Sequence, residues 1–344
     1  MNRFLKSLCA AAALAGLLLL GGCTRQPSGA DASAFAPDDG SRLVVYTSHK
    51  EEVYRPIIKE FEERTGIWVE VVTGGTNELL ERIRDGGGQP ACDVIFGGGA
   101  ESLMVYSDCL EPYRAAEADS LRAGLRGSGD LWTPFSSLPV VIVYNTKLVA
   151  PGQIRGWADL FDVRWQGRIA FADPSVSGSS YTAAVTMLSC LPGSPWDNLA
   201  AFAENLGGNV QSDSGNVVSA VAGGSCVVGV TLEETALKRI AAGDDIAIIY
   251  PQEGTSNQPD GVALIKGAAH ADNARAFIDF TLSADVQSIL GAFCRRPVRD
   301  DVPERDGLTP LGDIRLINYN VSYASRIKEE FLSRWADLSR EGEA

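Results

Sequence analysis

The chain of 344 residues carries 30 Lys plus Arg against 44 Asp plus Glu, with 45% hydrophobic and 22% charged residues. This is the makeup of a globular protein, not of a disordered or fibrous one. A net charge of −14 gives no long-range attraction to nucleic acid or to anionic headgroups, so a nucleic-acid partner is not expected. A single core stops growing near ~250 to 300 residues, so two lobes are expected.

Arg3 and Lys6 precede the apolar run LCAAAALAGLLLL at residues 8–20 and then Leu20-Gly21-Gly22-Cys23. A cationic start followed by an apolar run too short for the ~20 residues of a membrane span reads as an export signal. The small residues before Cys23 resemble a lipoprotein box, in which the chain is cut before the Cys and its sulfur carries diacylglycerol. A plain secretory signal and an uncleaved anchor are the alternatives. All three place the body outside the cytoplasm, in the periplasm or at the cell surface, and the lipobox ties it to a membrane through Cys23. Residues 1–22 are therefore expected to be a signal peptide. Residues 23–40, rich in Pro, Ala, Ser, Gly and Asp, are expected to be the lipidated Cys and a flexible tether.

From Arg42 a short apolar run, a loop of small residues and a helix-period segment recur, which is how a parallel sheet flanked by helices reads. LVVY (43–46) leads through TSHK to a helical stretch with Val53, Ile57, Ile58 and Phe61 on one face. Pro56 within it leaves two readings, a helix starting late or a helix kinked at the proline. WVEVV (68–72) leads to Gly74-Gly75-Thr76 and a helix from 77 to about 85, and DVIF (93–96) leads to Gly97-Gly98-Gly99 and a helix from about 100. VVIVYN (140–145) reads as the crossover to a second lobe with strands near 168–172 and 227–230. After 246–251 and 262–267 the chain is expected to return to the first lobe through helical segments at 271–290 and 322–340. The divisions are 41–139 for lobe 1, 140–252 for lobe 2, and 253–344 for the return and the C-terminal helices.

Ligands of open parallel sheets sit at the carboxyl ends of strands, where helix N-termini offer unpaired N–H groups and partial positive charge. Ser48 and His49, Gly75 and Thr76, Gly98, and Ser177, Gly178, Ser179, Ser180 and Thr182 all lie in such loops, and together they form a candidate anion cradle. Capping without a ligand is the alternative. His49 is read as a ligand-contacting residue at a strand end. Of Glu233 and Glu234, which point to different sides of the chain, one is read as facing the cleft to bind ligand hydroxyls. GxSxG, GxxxxGK[ST] and HExxH do not occur, so the chain is read as performing no catalysis. No cofactor is expected. With only His49 and His270 and no CxxC, neither is a zinc site. Export permits disulfides. Cys92 and Cys109 fall at one side of a strand-helix unit and are a candidate pair, as are Cys190 and Cys226; free buried thiols are the alternative, and the state of Cys294 is open.

The segments YTSHKEEVYRPIIKEFEERTGI, CDVIFGGGAESL, FADPSVSGSSYTA, YPQEGTSNQPDGVALIKG and NARAFIDFTLSADVQ resemble the periplasmic-type solute-binding proteins of ABC importers, in the ferric-iron, thiamine and organophosphate branch. The resemblance covers about residues 42–338. It implies an α/β, two-lobed periplasmic-binding-protein type II fold, each lobe a mainly parallel sheet flanked by helices, joined by crossing hinge strands. It also implies a monomer that delivers a solute to a permease with its ATPase, or, on the same fold, a ligand-sensing partner of a membrane histidine kinase. Iron-binding members use a His after the first strand, an acid and two adjacent Tyr. His49 matches the first, but none of the nine Tyr are adjacent, which makes ferric iron the second choice. The stretches around SGSSYT and YPQEGTS look like those of binders of phosphorylated small molecules such as hexose phosphates, phosphoglycerate or phosphonates. Thiamine or its phosphates would need ring stacking, for which Trp132, Phe135 and Tyr181 are the candidates.

Overall fold

A computed structural model of the chain describes residues 37–86 and 90–341; the expected signal, Cys23 and nearly all of the tether lie outside them. The first lobe opens with β1 (Arg42–Thr47), α1 (Glu51–Thr65), β2 (Trp68–Thr73), α2 (Thr76–Asp85), β3 (Val94–Gly99) and α3 (Ala100–Val105). β1 pairs parallel with both β2 and β3, as the repeated strand-loop-helix pattern requires. α1 buries Val53, Ile57, Ile58 and Phe61, the predicted face. It begins at Glu51, so the late start does not occur. Pro56 lies inside the helix on its exposed side, where the carbonyl deprived of an N–H partner can meet water.

After β4 (Leu110–Glu111), the 13-residue strand β5 (Thr133–Asn145) carries the chain across. The second lobe contains β6 (Ile169–Ala172), α4 (Gly178–Cys190), α5 (Pro195–Leu206), β7 (Val210–Gln211), α6 (Ser214–Ala222), β8 (Val228–Leu232), α7 (Glu233–Ala241) and β9 (Ile246–Ile249). β10 (Asn257–Ile265) returns to the first lobe between β3 and β5. α8 (Ala271–Leu282), α9 (Ala284–Ile289), β11 (Arg296–Pro297) and α10 (Val321–Glu341) complete the described fold. The predicted helical run 271–290 is broken at Ser283, whose hydroxyl caps α9 by accepting from Val286 N.

The architecture is α/β with one mixed sheet in the order β2-β1-β3-β10-β5-β8-β6-β7. Parallel pairing holds within the strand-helix-strand units, and β6 pairs parallel with β7 and β8. The crossing strands enter antiparallel, β10 against β3 and β5, and β5 against β8 and β9. The sheet is therefore less parallel than the repeat alone suggests. Each lobe has an aromatic core. Phe61, Phe96, Phe135 and Phe277 pack edge to face in the first, with centroids 4.7–5.4 Å apart. Phe171, Phe202, Tyr181 and Phe331 do so in the second, at 5.1–5.2 Å. The expected return of all of 253–344 to the first lobe is corrected for its last helix. α10 places Ala324, Phe331 and Trp335 in the second core, while its Ser325 hydroxyl donates to the Glu101 carbonyl of the first lobe.

The expected Cys92–Cys109 bridge is absent, both residues being free thiols, as are Cys190, Cys226 and Cys294. β10 is the reason. It pairs with β3 through Leu264↔Val94 on one side and with β4 through Leu264↔Glu111 on the other, so the two Cys flank it. Two strand spacings are about 9.5 Å, beyond the ~7 Å over which two Cα atoms can be bridged. Burial also pushes the Cys92 thiol up to about 12, leaving it protonated and unreactive. Peptide mass spectrometry of protein unfolded and alkylated without reductant should recover Cys92 and Cys109 as separate alkylated peptides. A disulfide-linked pair would contradict this strand order.

Candidate functional site

Between the lobes lies a cleft of ≈770 Å³. Its walls are strand ends and helix starts: Ser48 to Lys50 before α1, Gly74 to Thr76 before α2, Ser177 to Ser179 at α4, Ser212 to Asn216 at α6 and Leu232, Glu234 and Thr235 around the start of α7. The end of β3 needs glycine. Gly97 has φ +115°, and a Cβ there would stand 2.5 Å from the Ser48 hydroxyl; Gly98 has φ +93° and faces the Thr76 methyl.

The structure brings Ser48, His49, Gly75, Thr76, Gly98, Ser177, Gly178, Ser179, Thr182 and Glu234 together around this cleft. Ser180 and Glu233 do not line it. Ser180 turns inward and donates its hydroxyl to the Ala172 carbonyl, completing the junction of β6 with α4. Glu233 is buried against Arg296, to which it is joined by two 2.7 Å hydrogen bonds. Trp132, Phe135 and Tyr181 are core residues and offer the cleft no stacking surface. His270 lies off the cleft, its Nδ1 2.9 Å from Asp93 Oδ2.

Two hydroxyl-bearing helix starts meet in the second lobe. Ser179 Oγ lies 3.0 Å from Ser177 Oγ and 2.7 Å from Ser214 Oγ, so α4 and α6 present a triangle of hydroxyls beside their free N–H groups. Ser177 also caps α4 by accepting from Ser180 N, and Asp213 caps α6 by accepting from Asn216 N. Hydroxyls and N–H dipoles aimed at one space suit an anion.

The opposite wall holds groups that sequence reading did not find. Asp260, on β10, accepts from Ser136 N (2.9 Å) and Ser136 Oγ (2.8 Å), and from Arg295 Nη1 (2.5 Å). His49 Nε2 lies 2.7 Å from the same carboxylate. Burial by itself would raise the Asp260 pKa, but the Arg295 charge and the bonds from His49 and Ser136 outweigh it and hold the carboxyl far below the usual range. Burial lowers the His49 pKa despite Asp260. His49 is thus a neutral imidazole donating from Nε2, packed edge to face on Phe96 at 4.3 Å. Arg295 also stands 3.6 Å from Glu234 Oε1, and Lys238 is 2.8 Å from Glu234 Oε2, so Glu234 is held ionised, its pKa lowered against the opposing effect of burial. The visible signal was charge in apolar surroundings, the arginine pair of CRRPV and the lone Asp of QPDGVALI, but neither follows a motif.

A second carboxyl lies under the cleft floor. Glu101 is fully buried, bonded to the Thr182 hydroxyl across the lobes, with Oε2 unpaired. Desolvation raises its pKa, and no guanidinium is bound to it to reverse the effect. Lys328, 2.8 Å from both Asn77 Oδ1 and Ser102 Oγ, is lowered by burial to about 8. Other contacts also join the lobes at the rim: Asn77 Nδ2 donates to the Ser175 carbonyl at 3.0 Å, and Lys50 stands 3.8 Å from Asp213.

A family model described as bacterial extracellular solute-binding protein matches residues 89–319, and the chain belongs to that family. It is 23% identical to iron uptake protein A1 of Synechocystis sp. over 318 residues, 87% of each chain. It is also 23% identical over 265 residues, 74% of this chain and 76% of the relative, to a Salmonella typhimurium periplasmic protein named for 2-aminoethylphosphonate binding. Among solved structures, the periplasmic binding protein AfuA of Actinobacillus pleuropneumoniae, with fructose-6-phosphate bound, superposes with a TM-score of 0.80 at 23% identity, covering 87% of this chain and 98% of that one. This likeness shows that the fold is that of a periplasmic binding protein.

The two buried carboxyls predict opposite pH responses. Asp260 has a lowered folded pKa, so its contribution is complete above the unfolded value and lost as pH falls through the folded one. Asp260→Asn should therefore destabilise by about 3–5 kcal/mol at pH 7 by leaving Arg295 underpaired, with the gap to wild type closing only in strong acid. Glu101 has a raised folded pKa, so its contribution is complete below the unfolded value and lost as pH rises. Glu101→Gln should gain melting temperature relative to wild type between pH 4 and pH 8. Urea titrations for the first and melting curves for the second check both signs; a gap that is constant with pH would refute either.

Proposed function

We propose that this solute-binding protein is the lipid-anchored receptor of an ABC importer, and that it captures a small phosphorylated anion of the hexose phosphate, phosphoglycerate or phosphonate type for a permease and its ATPase. It binds and releases the solute without chemistry. The observation that carries the ligand class is the hydroxyl triangle of Ser177, Ser179 and Ser214 at the starts of α4 and α6. A phosphate there would accept from hydroxyls and from the free N–H groups of two helices, while Glu234 and Gln258 would meet a polar tail. The lining charges are four cationic, Lys50, Lys238, Arg239 and Arg295, against four anionic, Glu52, Asp213, Glu234 and Asp260. Affinity for an anion would thus come from local dipoles, not from excess charge.

Ferric iron is the second reading, and the iron uptake relative keeps it in view. Against it, no tyrosine is among the described residues lining the cleft, and His49 Nε2 is committed to Asp260. A hard trivalent cation would find no phenolate and would have to displace Arg295 from its carboxylate. The remaining parts of the proposal, export, cleavage before Cys23 and lipidation, rest on the sequence of residues 1–23.

Thermal-shift measurements on the chain lacking residues 1–22 would compare hexose phosphates, phosphoglycerate, 2-aminoethylphosphonate, thiamine phosphate and ferric citrate. Ligand at 100 times its dissociation constant stabilises by about 2.7 kcal/mol, which should appear with a phosphate or phosphonate and not with iron. Ser179→Asp should abolish that shift while the apo protein melts as wild type does, because an acid in the first turn suits the helix N-terminus. A shift with iron alone, or an unchanged affinity in Ser179→Asp, would overturn the ligand class.

A further inference from the structure

Two adjacent acids and two adjacent arginines meet where the chain crosses between lobes. Glu233 and Glu234 open α7 directly after β8, and Arg295 and Arg296 lead into β11. β8 ends with Leu232 opposite Val140 of β5, and β11 begins with Arg296 opposite Ser137. The four charged residues therefore sit beside residues 137–140 of β5, where that strand exchanges its first-lobe partner β10 for its second-lobe partner β8.

The two ion pairs made there differ in kind. Arg296, with no exposed surface, donates from Nε and Nη2 to the two Glu233 oxygens at 2.7 Å each, from Nη1 to Glu304 Oε2 at 2.5 Å and from Nη2 to the Thr309 carbonyl at 2.7 Å. The Tyr250 hydroxyl adds a further bond to Glu233. This is a bidentate fork with four of the five guanidinium N–H groups bonded, a strong arrangement for an arginine. The contact between the neighbouring two is longer: Arg295 stands 3.6 Å from Glu234 with its Nε unpartnered, each being held instead by other groups, Arg295 by Asp260 and Ser136 and Glu234 by Lys238, and both line the cleft. Arg295 adjoins Arg296 at the start of β11, so a fork that fixes Arg296 limits where Arg295 can stand.

We infer that Glu233 and Arg296 are positioning residues: their buried fork pins the start of α7 to β11 across the crossing point of β5, and thereby sets both the placement of Arg295 and Glu234 in the cleft and the angle to which the lobes open. The part concerning the cleft rests on the solute-receptor reading above; the part concerning lobe angle does not. Broken, the fork would free the second lobe to turn about β5 and leave Arg295 and Glu234 without that frame.

Glu233→Gln removes the charge and keeps the shape, and Arg296→Lys keeps the charge and removes the fork. In ligand-free protein, spin labels carried by unnatural amino acids at Lys59 on α1 and Ala201 on α5 report the distance between lobes by pulsed electron resonance. Both variants should show a broader distance distribution than wild type with unchanged far-ultraviolet circular dichroism, and affinity for fructose 6-phosphate, the probe, should fall tenfold or more. Distributions as narrow as wild type in variants whose melting temperature has dropped would reduce the fork to a structural ion pair and overturn the inference. Should Glu233→Gln and Arg296→Lys not fold, Tyr250→Phe, which removes one bond to Glu233 and no charge, decides on the same distance readout. If wild type fails to bind the probe, the hexose phosphate reading fails, while the distance measurement still tests the fork.

Discussion

The structure depends on one strand serving both lobes of the sheet. β5 pairs with β10 and β11 through residues 133–139 and with β8 and β9 through residues 140–145. Every backbone group along it must find a partner or lose the free energy of a buried unpaired amide, so the strand cannot shift register in one lobe without disturbing the other. Its central residues Val140 to Val143 are fully buried and reach both second-lobe cores. With the lobes tied at that line, their strand ends face one another across a gap, and the helix N-termini that follow those strands converge on it. The cleft follows from connectivity before any side chain is considered.

Electrostatics then divides the cleft into two walls of different character. The second-lobe wall adds neutral donors, hydroxyls and N–H groups at α4 and α6 that carry partial charge without a counterion, to the charged Asp213, Glu234, Lys238 and Arg239. The wall from β10 and Arg295 is made of full charges already matched to one another, with Asp260 bound by Arg295, Ser136 and His49. A protein of net charge −14 can hold an anion only where such local dipoles outweigh the general field. Under the proposed anion reading, those dipoles would supply the attraction that the net charge does not.

Much of this was legible in the sequence, for identifiable reasons. The strand-loop-helix units through β3 follow hydrophobic period and glycine placement, which are local, and so the apolar face of α1 and the loops holding Ser48, Gly75, Gly98 and Ser177 were found from them. Asp260 and Arg295 were not, because they reach the cleft only through the long return of β10 and β11 to β5, a pairing no local pattern encodes. Ser180 was assigned to the cleft because its neighbours belong there, while only one of Glu233 and Glu234 was expected to face it; a single step along a helix start turns Ser180 and Glu233 inward. The Cys92 and Cys109 pairing failed for a related reason, since proximity in a strand-helix unit says nothing of a strand inserted later between its ends.

The buried charges around the cleft show why partner geometry, and not depth, decides ionisation. Asp260 and Glu101 are both inaccessible, and burial pushes both toward the neutral acid. Asp260 is met by a guanidinium and two donors from Ser136 and stays ionised; Glu101 is met by a single hydroxyl and is driven upward. Since a ligand binds most tightly to groups that need no rearrangement, the wall with settled charges is preorganised. The Glu101 contact lies instead where the two lobes meet, joining α3 to α4. Burial raises the pKa of its carboxyl, and a carboxyl that takes up a proton there would part from a hydroxyl at less desolvation penalty than an ion pair would.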